Sequence, residues 1–358
     1  MLFEDENERG KMDNSKIDPN LVLPSYIGKP DVRFFDIDEP PFEIHGVRRH
    51  EGQYTRVPPE IAAKLNTRAK KFNSATAGGR VRFKTDSTYV AIRVHIGDIY
   101  RVPMLTLTAS AGFDLYEGKS FLGSFNPPYE IQSGGVYEAV ISLGERRERN
   151  LTLNMPLYSS VMKIWIGIDG KGSVSAPEKY KRVAPIVFYG SSITHGACAS
   201  RPGMTFSAML SRAIDTDIIN LGFGAGCRGE GVLAEYIAQL DPALLVCAYD
   251  HNAPNAEKLK ETHEPFYKAL REKNKNIQVL FVSRPETEST DDGERRRDII
   301  KETYTQAREQ GDHRVHYLDG RELLYERDLT HDGLHPNDLG EAKIAEKLLE
   351  IITEILKI

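Results

Sequence analysis

Residues 187–194 read Val-Phe-Tyr-Gly-Ser-Ser-Ile-Thr, an apolar run that stops at a glycine and two serines. Such a run predicts a buried strand, and the small residues after it predict a tight turn at the edge of a sheet. A serine on such a turn is exposed to a neighbouring base that can take its proton. The stretch therefore predicts a nucleophile, although the spacing alone does not separate Ser191 from Ser192.

The region around this stretch alternates between apolar runs and helical patterns. The runs are Ile186–Tyr189, Ile218–Leu221, Leu244–Tyr249, Val279–Val282 and Val315–Leu318, and the helical patterns lie near 205–215, 230–240, 256–273, 291–310 and 338–357. Because each run is continuous, we expect burial on both faces, which is typical of a five-stranded parallel sheet between helices in an α/β domain. Sites in such sheets form at the carboxyl ends of the strands.

The preceding region has the pattern of short strands, many of which alternate in polarity. They are predicted at Val81–Thr85, Tyr89–His95, Leu105–Thr108, Gly112–Tyr116, Tyr137–Ser142, Leu151–Asn154 and Val161–Ile168. Near-regular spacing of this kind predicts a β-sandwich of jelly-roll type, and Gly170–Glu178 is the best candidate for a linker. Together with the length of 358 residues, this predicts a polar arm at 1–25, a β-sandwich domain at 26–175 and an α/β domain at 176–358.

The composition excludes several classes of protein. A net charge of −5 and a pI near 6.1 argue against nucleic-acid binding. No apolar run approaches the ~18 residues of a membrane-spanning helix, and the acidic N-terminus does not resemble a signal peptide. Three cysteines without metal-binding spacing fit reduced thiols. We therefore expect a cytoplasmic protein with no membrane partner, no metal and no cofactor; the oligomeric state, a homo-oligomer included, stays open.

A second informative stretch, Asp332-Gly-Leu-His335-Pro, precedes the last helical pattern. An imidazole titrates near neutrality, so His335 is a candidate for the base that takes the serine proton, with Asp332 orienting its ring. His331 is a rival base because it is also adjacent to Asp332. The alternative reading of Asp332 is a cap of the following helix.

Two further segments at strand ends carry potential hydrogen-bond donors. The glycine-rich turn Asn220–Gly226 exposes backbone amides that suit a developing oxyanion, and Asn252 offers a side-chain N–H after the third run. A nucleotide site at Gly222–Gly226 is the weaker alternative, because the lysine of a phosphate-binding loop is missing. Asn252 as a simple turn residue is also open.

These segments resemble, in order, the four blocks that give the SGNH (GDSL-type) esterases their name. The blocks are Gly190–Thr194, Asn220–Ala225, Asp250–Asn252 and Asp332–Asn337. The segment Gly112–Tyr116 resembles the Gly-x-Asp-Leu-Tyr motif of the β-domain that precedes some bacterial members. The resemblance covers residues 30–358 and implies a flavodoxin-like SGNH hydrolase domain behind a β-sandwich.

The resemblance also implies roles for individual residues. Ser192, the third residue of the first block, becomes the nucleophile, with Asp332 and His335 completing a triad. The oxyanion hole would consist of the amides of Ser192 and Ala225 and the side chain of Asn252. The family has a glycine where this chain has Ala225, so that position could slip by one residue.

Other residues are expected near the pocket without a defined role. Gly224 lies beside the oxyanion position, and His195 and His251 neighbour the first and third blocks as residues of the pocket rim or of the layer behind it. Asp114 and Tyr116 are expected to supply a wall of the pocket from the β-domain.

The resemblance implies a carboxylic-ester hydrolase. A β-sandwich beside this hydrolase domain is similar to carbohydrate esterases, and no apolar lid is evident, so we expect removal of short acyl groups, acetyl above all, from a sugar or small glycoside. The alternatives are a thioesterase or lysophospholipase with the same triad, and a non-catalytic glycan-binding protein.

Overall fold

The computed structural model describes residues 27–358, except for the side chain of Val183. The predicted polar arm at 1–25 lies outside the described residues. For clarity, we refer to residues 27–175 as the N-terminal unit and to residues 176–358 as the C-terminal unit.

Short antiparallel strands dominate the N-terminal unit. They are β1 Arg33–Asp36, β2 Glu43–His45, β3 Arg48–His50, β4 Gln53–Thr55, β5 Arg80–Thr85, β6 Tyr89–Ile96, β7 Phe113–Glu117, β8 Ser120–Phe125, β9 Val136–Ser142, β10 Arg149–Asn154, β11 Val161–Ile168 and β12 Val174–Ser175. Three short helices interrupt them: α1 Pro59–Ala62, α2 Thr67–Lys71 and α3 Leu107–Ala111.

Two sheets of these strands pack face to face. One sheet has the order β1-β11-β6-β9, and the other has the order β12-β5-β10-β7-β8 with β2 paired to β5. In β10 the alternating residues Leu151 and Leu153 are fully buried, and they pack with Ile92 and Ile164 of the opposite sheet in one apolar cluster. Alternation with one face buried is the pattern of a sandwich, which confirms the predicted β-sandwich.

One prediction for this unit is wrong. Leu105–Thr108 forms no strand: the Thr106 hydroxyl accepts from the Ala109 amide and caps α3, which ends the extended conformation. Within the expected linker Gly170–Glu178, the two residues Val174 and Ser175 pair with β5.

The C-terminal unit has the predicted alternation of strands and helices. Its strands are β13 Arg182–Gly190, β14 Thr216–Gly222, β15 Leu244–Ala248, β16 Gln278–Val282 and β17 Val315–Leu318. Its helices are α4 Ser192–His195, α5 Phe206–Ile214, α6 Gly231–Gln239, α7 Ala256–Lys273, α8 Asp291–Glu309 and α9 Asp338–Leu356.

The five strands form one parallel sheet in the order β14-β13-β15-β16-β17. Apolar side chains cover both faces: Val187 and Leu245 belong to one cluster, while Ile186 and Val246 belong to the other. The sheet between helices confirms the predicted flavodoxin-like α/β architecture. Because the strands are parallel, the segments after β13, β14 and β15 meet at one edge.

The cluster on one face of this sheet is shared between the two units. Val57, Phe72 and Tyr158 of the N-terminal unit pack in it with Tyr189 and Phe223 of the C-terminal unit. The edge strand β14 therefore faces the N-terminal unit rather than solvent, since β2 also contacts it.

Candidate active site

The turn after β13 presents Ser192 and buries Ser191. A Cβ atom at Gly190 would overlap Thr194 and the Ala248 carbonyl, so only glycine allows the chain to turn this closely. The Ser191 hydroxyl accepts a 3.3 Å hydrogen bond from the Ile193 amide and caps α4. Ser191 is 1% exposed, whereas the Ser192 hydroxyl lies 2.9 Å from His335 Nε2. The geometry thus separates the two serines that spacing left unresolved.

Asp332 and His335 lie on one closed loop before α9. Asp332 Oδ2 is 2.8 Å from His335 Nδ1, and its Oδ1 accepts from the amides of Leu334 and His335. Gly333 has φ +86°, a conformation that glycine adopts without strain. The carboxylate is therefore fixed by three hydrogen bonds, and the imidazole lies between it and Ser192.

The alternatives for these two residues do not fit the geometry. Asn337, not Asp332, caps α9, because its side chain accepts from the amides of Leu339 and Gly340. The ring of His331 makes no hydrogen bond within residues 27–358, and its amide donates to the His335 carbonyl. Of the two histidines, only His335 reaches the serine.

The pKa of Asp332 is lowered from its ordinary value. Burial acts in the opposite direction, but hydrogen bonds from the amide and ring of His335 outweigh it. The carboxylate is therefore charged at neutral pH and complements an imidazolium beside it.

The glycine-rich turn and Asn252 meet beside the serine. The Asn252 Nδ2 donates to the Phe223 carbonyl at 3.0 Å, and its Oδ1 accepts from the Ala225 amide at 3.1 Å. One hydrogen of Nδ2 remains free, as does the Ser192 amide among the described hydrogen bonds. Both are available for an oxyanion.

The Ala225 amide, expected in the oxyanion hole, donates instead to Asn252 Oδ1. Ala225 has φ +56°, a left-handed conformation that glycine adopts more readily than alanine. Gly224 lies next to Ser192: a Cβ atom there would be 3.6 Å from the Ser192 Cβ. A larger side chain at residue 224 would fill the space beside the serine.

His195 is part of the support behind the site and not of a pocket rim. It is fully buried, its ring stacks on Tyr158 with 3.9 Å between centroids, and its Nε2 lies 2.8 Å from the Leu157 carbonyl. Burial lowers its pKa well below the ordinary value, so the ring is neutral. Its Nδ1 accepts from the Gly224 amide at 3.4 Å and thereby supports the turn.

His251 borders a small apolar cavity. The cavity has a volume of about 30 Å³ and is also lined by Val282, Pro285 and Leu323. Burial, followed by the charge of Arg284, lowers the pKa of His251 to about 3, and its buried Nε2 has no hydrogen-bond partner. A neutral ring therefore lies behind the third block.

The prediction that Asp114 and Tyr116 form a wall of the pocket is wrong. They are 0% and 2% exposed, so neither borders a solvent-filled pocket. Asp114 Oδ2 accepts from the Gly203 amide at 2.7 Å and from Arg201 at 2.9 Å, and Arg201 also donates to Tyr116. The two residues hold the loop that follows α4, and so join the units.

Sequence reasoning missed two arginines, Arg201 and Arg56, that hold the segments next to the site. Arg201 lies in the loop after α4, and Arg56 reaches the Gly222 carbonyl from the N-terminal unit. Single arginines in ordinary surroundings carry no sequence signal for such contacts.

Within residues 27–358, no group of three or more His, Cys, Asp or Glu side chains could hold a metal ion. No helix among these residues is both long and apolar enough to cross a membrane.

Family models match both units. Residues 32–174 match the GxDLY model, the N-terminus of SGNH-type esterases, and residues 183–353 match the GDSL-like lipase/acylhydrolase family. Among curated proteins, no sequence matches the chain significantly.

Solved structures share the arrangement of both units. A protein of Bacteroides ovatus described as a GDSL-like lipase is 27% identical, with a TM-score of 0.82 over 91% of this chain and 98% of that one. The salicylyl-acyltransferase of a tetracycline biosynthetic pathway is 18% identical, with a TM-score of 0.76 over 91% of this chain and 98% of that one. An acetyl xylan esterase of Butyrivibrio proteoclasticus is 13% identical, with a TM-score of 0.61 over 91% of this chain and 99% of that one. The last two likenesses concern the fold alone. With its four blocks, its sheet and both family models in agreement, the chain belongs to the SGNH/GDSL-type esterases, with an N-terminal GxDLY domain, and is a carboxylic-ester hydrolase.

Proposed function

We propose that the protein removes short acyl groups, acetyl above all, from a carbohydrate or small glycoside through a Ser192–His335–Asp332 triad. The observation that carries the triad is the continuous path from the Ser192 hydroxyl to His335 Nε2 and from His335 Nδ1 to Asp332, with distances of 2.9 and 2.8 Å. These distances lie within the range expected for a nucleophile and its base.

In the first step the Ser192 oxygen attacks the ester carbonyl while His335 takes its proton. The negative charge that develops on the carbonyl oxygen is stabilised by the Ser192 amide and the free Nδ2 hydrogen of Asn252. His335 then gives the proton to the leaving alcohol, and an acyl-enzyme remains. Water, activated by His335 in turn, releases the acid and restores Ser192. Asp332 stabilises the imidazolium in both steps.

The Ala225 amide has an indirect role in this scheme. Since it donates to Asn252 Oδ1, it fixes which end of the side-chain amide faces the turn. The hydrogen bond to the Phe223 carbonyl has the same effect.

Two observations support a short acyl group on a sugar. His335 and Gly224, which lie next to Ser192, are polar or small and suit a short acyl group. Phe72, which lies near Gly224, also lines a cleft of about 250 Å³ that combines aromatic rings with polar side chains. Its lining is Lys71, Phe72, Ser74, Asp98, Ile99, Tyr100, Ser133, Tyr158 and Ser160. Rings and hydroxyl-binding groups together suit a carbohydrate.

Hydrolysis of p-nitrophenyl acetate and octanoate by wild type, Ser192→Ala and Ser191→Ala tests the proposal. We expect acetate to be preferred and Ser192→Ala to be inactive. Ser191→Ala, the matched control, loses a helix cap worth about 1 kcal/mol of stability but keeps the nucleophile. A preference for octanoate would favour the thioesterase or lysophospholipase alternative. If Ser192→Ala kept full activity, the triad would be wrong.

Reaction with a fluorophosphonate separates catalysis from glycan binding. Wild type and Ser191→Ala should be labelled, and Ser192→Ala should not. A wild type that is neither labelled nor active on esters would support the non-catalytic alternative.

A further inference from the structure

Arg56 is a buried cation without an acidic partner. It follows β4 in the N-terminal unit and is 1% exposed. No carboxylate forms an ion pair with it among residues 27–358, and its Nε has no hydrogen-bond partner. Burying a guanidinium without a neutralising partner costs stability, so we looked to its contacts for a role other than stabilising the fold.

The contacts of Arg56 converge on the glycine-rich turn. Nη1 donates to the Gly222 carbonyl, Nη2 donates to the Phe72 carbonyl, and the guanidinium carbon lies 4.1 Å from the centroid of the Phe223 ring. A single side chain thus holds two successive residues of the turn and connects them to the N-terminal unit.

The same turn orients Asn252. The Phe223 carbonyl accepts from Asn252 Nδ2, and two residues later the Ala225 amide donates to Asn252 Oδ1. We propose that Arg56 is a positioning residue for ester hydrolysis: by fixing Gly222 and Phe223, it sets the place of Asn252 and hence of the oxyanion hole. This inference rests on the proposed function of Ser192 and Asn252.

The charge of Arg56 contributes as well. Burial lowers its pKa to about 9, which leaves the guanidinium charged at neutral pH. After burial, its charge is the next cause of the low pKa of His195, the ring that accepts from the Gly224 amide. In a dry interior with no carboxylate to cancel it, a positive charge favours negative charge developing nearby.

Arg80 provides a matched control. It is also a buried arginine of the N-terminal unit, and it also donates to a carbonyl of β14, that of Ile218. It differs from Arg56 in two ways. Asp217 neutralises its charge, and it contacts β14 near the start of the strand, away from the site. A purely structural role in joining the units would make the two arginines equivalent.

The test compares Arg56→Met and Arg56→Lys with Arg80→Met and Arg80→Lys in the full chain, with p-nitrophenyl acetate as substrate. Since a displacement of about 1 Å in a catalytic group can cost about 100-fold in rate, we expect Arg56→Met to lower kcat by about 10- to 100-fold with little change in KM. Arg56→Lys keeps the charge but cannot bridge both carbonyls, so it should recover part of kcat. The Arg80 variants should lower Tm and leave kcat unchanged.

The outcomes separate this inference from the proposed function. If both arginines affect kcat and Tm alike, Arg56 is only structural and the inference is overturned. If Arg56 variants do not fold, Phe223→Leu, which removes the ring and no charge, decides: lowered kcat supports the inference and unchanged kcat overturns it. If wild type hydrolyses no ester and takes no fluorophosphonate, the proposed function fails and the inference fails with it.

Discussion

Asp332 holds His335 through both carboxylate oxygens: one accepts from the His335 amide and the other lies against the ring Nδ1. We expect Asp332→Asn to lower kcat by about 100- to 10,000-fold, because an amide donates where the carboxylate accepts and favours the wrong ring tautomer. Asp328→Asn, in the same exposed loop, is the control and should leave kcat unchanged. The measurement is kcat at pH 7.

Because the pKa of Asp332 is lowered, wild type should lose no activity through protonation of this carboxylate until the pH falls below the ordinary aspartate pKa of about 3.9.

Individual residues could be predicted from the sequence where chemistry and position agree. Ser192, His335, Asp332 and Asn252 follow strand ends or precede a helix, and the structure brings all four together. The sequence could not show that Asp114 is buried between the units, because a carboxylate in a strand gives no sign of whether its partner is solvent or a distant loop. Nor could the sequence show that the Arg56 side chain reaches Gly222 across the boundary between the units.

Strand β7 joins the units through Asp114. Although Arg201 and two further donors contact this carboxylate, burial outweighs them and raises its pKa. Asp114→Ala would leave the Gly203 amide and Asn154 without an acceptor and would remove the carboxylate partner of Arg201. We expect a loss of about 3 kcal/mol in the free energy of unfolding. Glu117→Ala on the same strand removes a part-exposed ion pair with Arg147 and a longer contact with Arg149, and should cost less, about 1 kcal/mol. Urea unfolding of the two variants measures the difference, and equal costs would contradict the role of Asp114.

Helix α9 carries a buried carboxyl group that makes stability depend on pH. Burial raises the pKa of Glu341 well above 4.5, although the Phe206 amide donates to it at 2.7 Å. As the pH rises above 4.5 the unfolded chain releases its proton first, so the free energy of unfolding falls. We expect Glu341→Gln to match wild type near pH 4 and to have a higher Tm at pH 8. Glu346→Gln, on the exposed side of α9, should show no such divergence.

Elements with strong, uninterrupted patterns were the predictable ones. The five apolar runs of the C-terminal unit all became strands of one sheet. Sequence patterns missed β1 to β4, β8 and β12, since two- to six-residue strands with mixed polarity depend on their neighbours for pairing. Leu105–Thr108 failed for a local reason, because a cap at Thr106 favours a helix.

The two units share a core at the scale of the whole molecule. Val57, Phe72 and Tyr158 pack with Tyr189 and Phe223, and Arg80 is paired with Asp217 across the same boundary. We expect one cooperative thermal transition, with equal calorimetric and van't Hoff enthalpies. Two resolved transitions would show that the units unfold independently. Asp114→Ala should lower the Tm of that single transition rather than split it.

The covered edge of the parallel sheet has a consequence for how the chain avoids aggregation. A free edge strand exposes carbonyl and amide groups to which a strand of another molecule can add. In β14 the carbonyls of Ile218 and Gly222 are occupied by Arg80 and Arg56. In the folded chain the sandwich therefore takes the place that a strand of another molecule would need, and the hydrolase sheet has no open edge on this side.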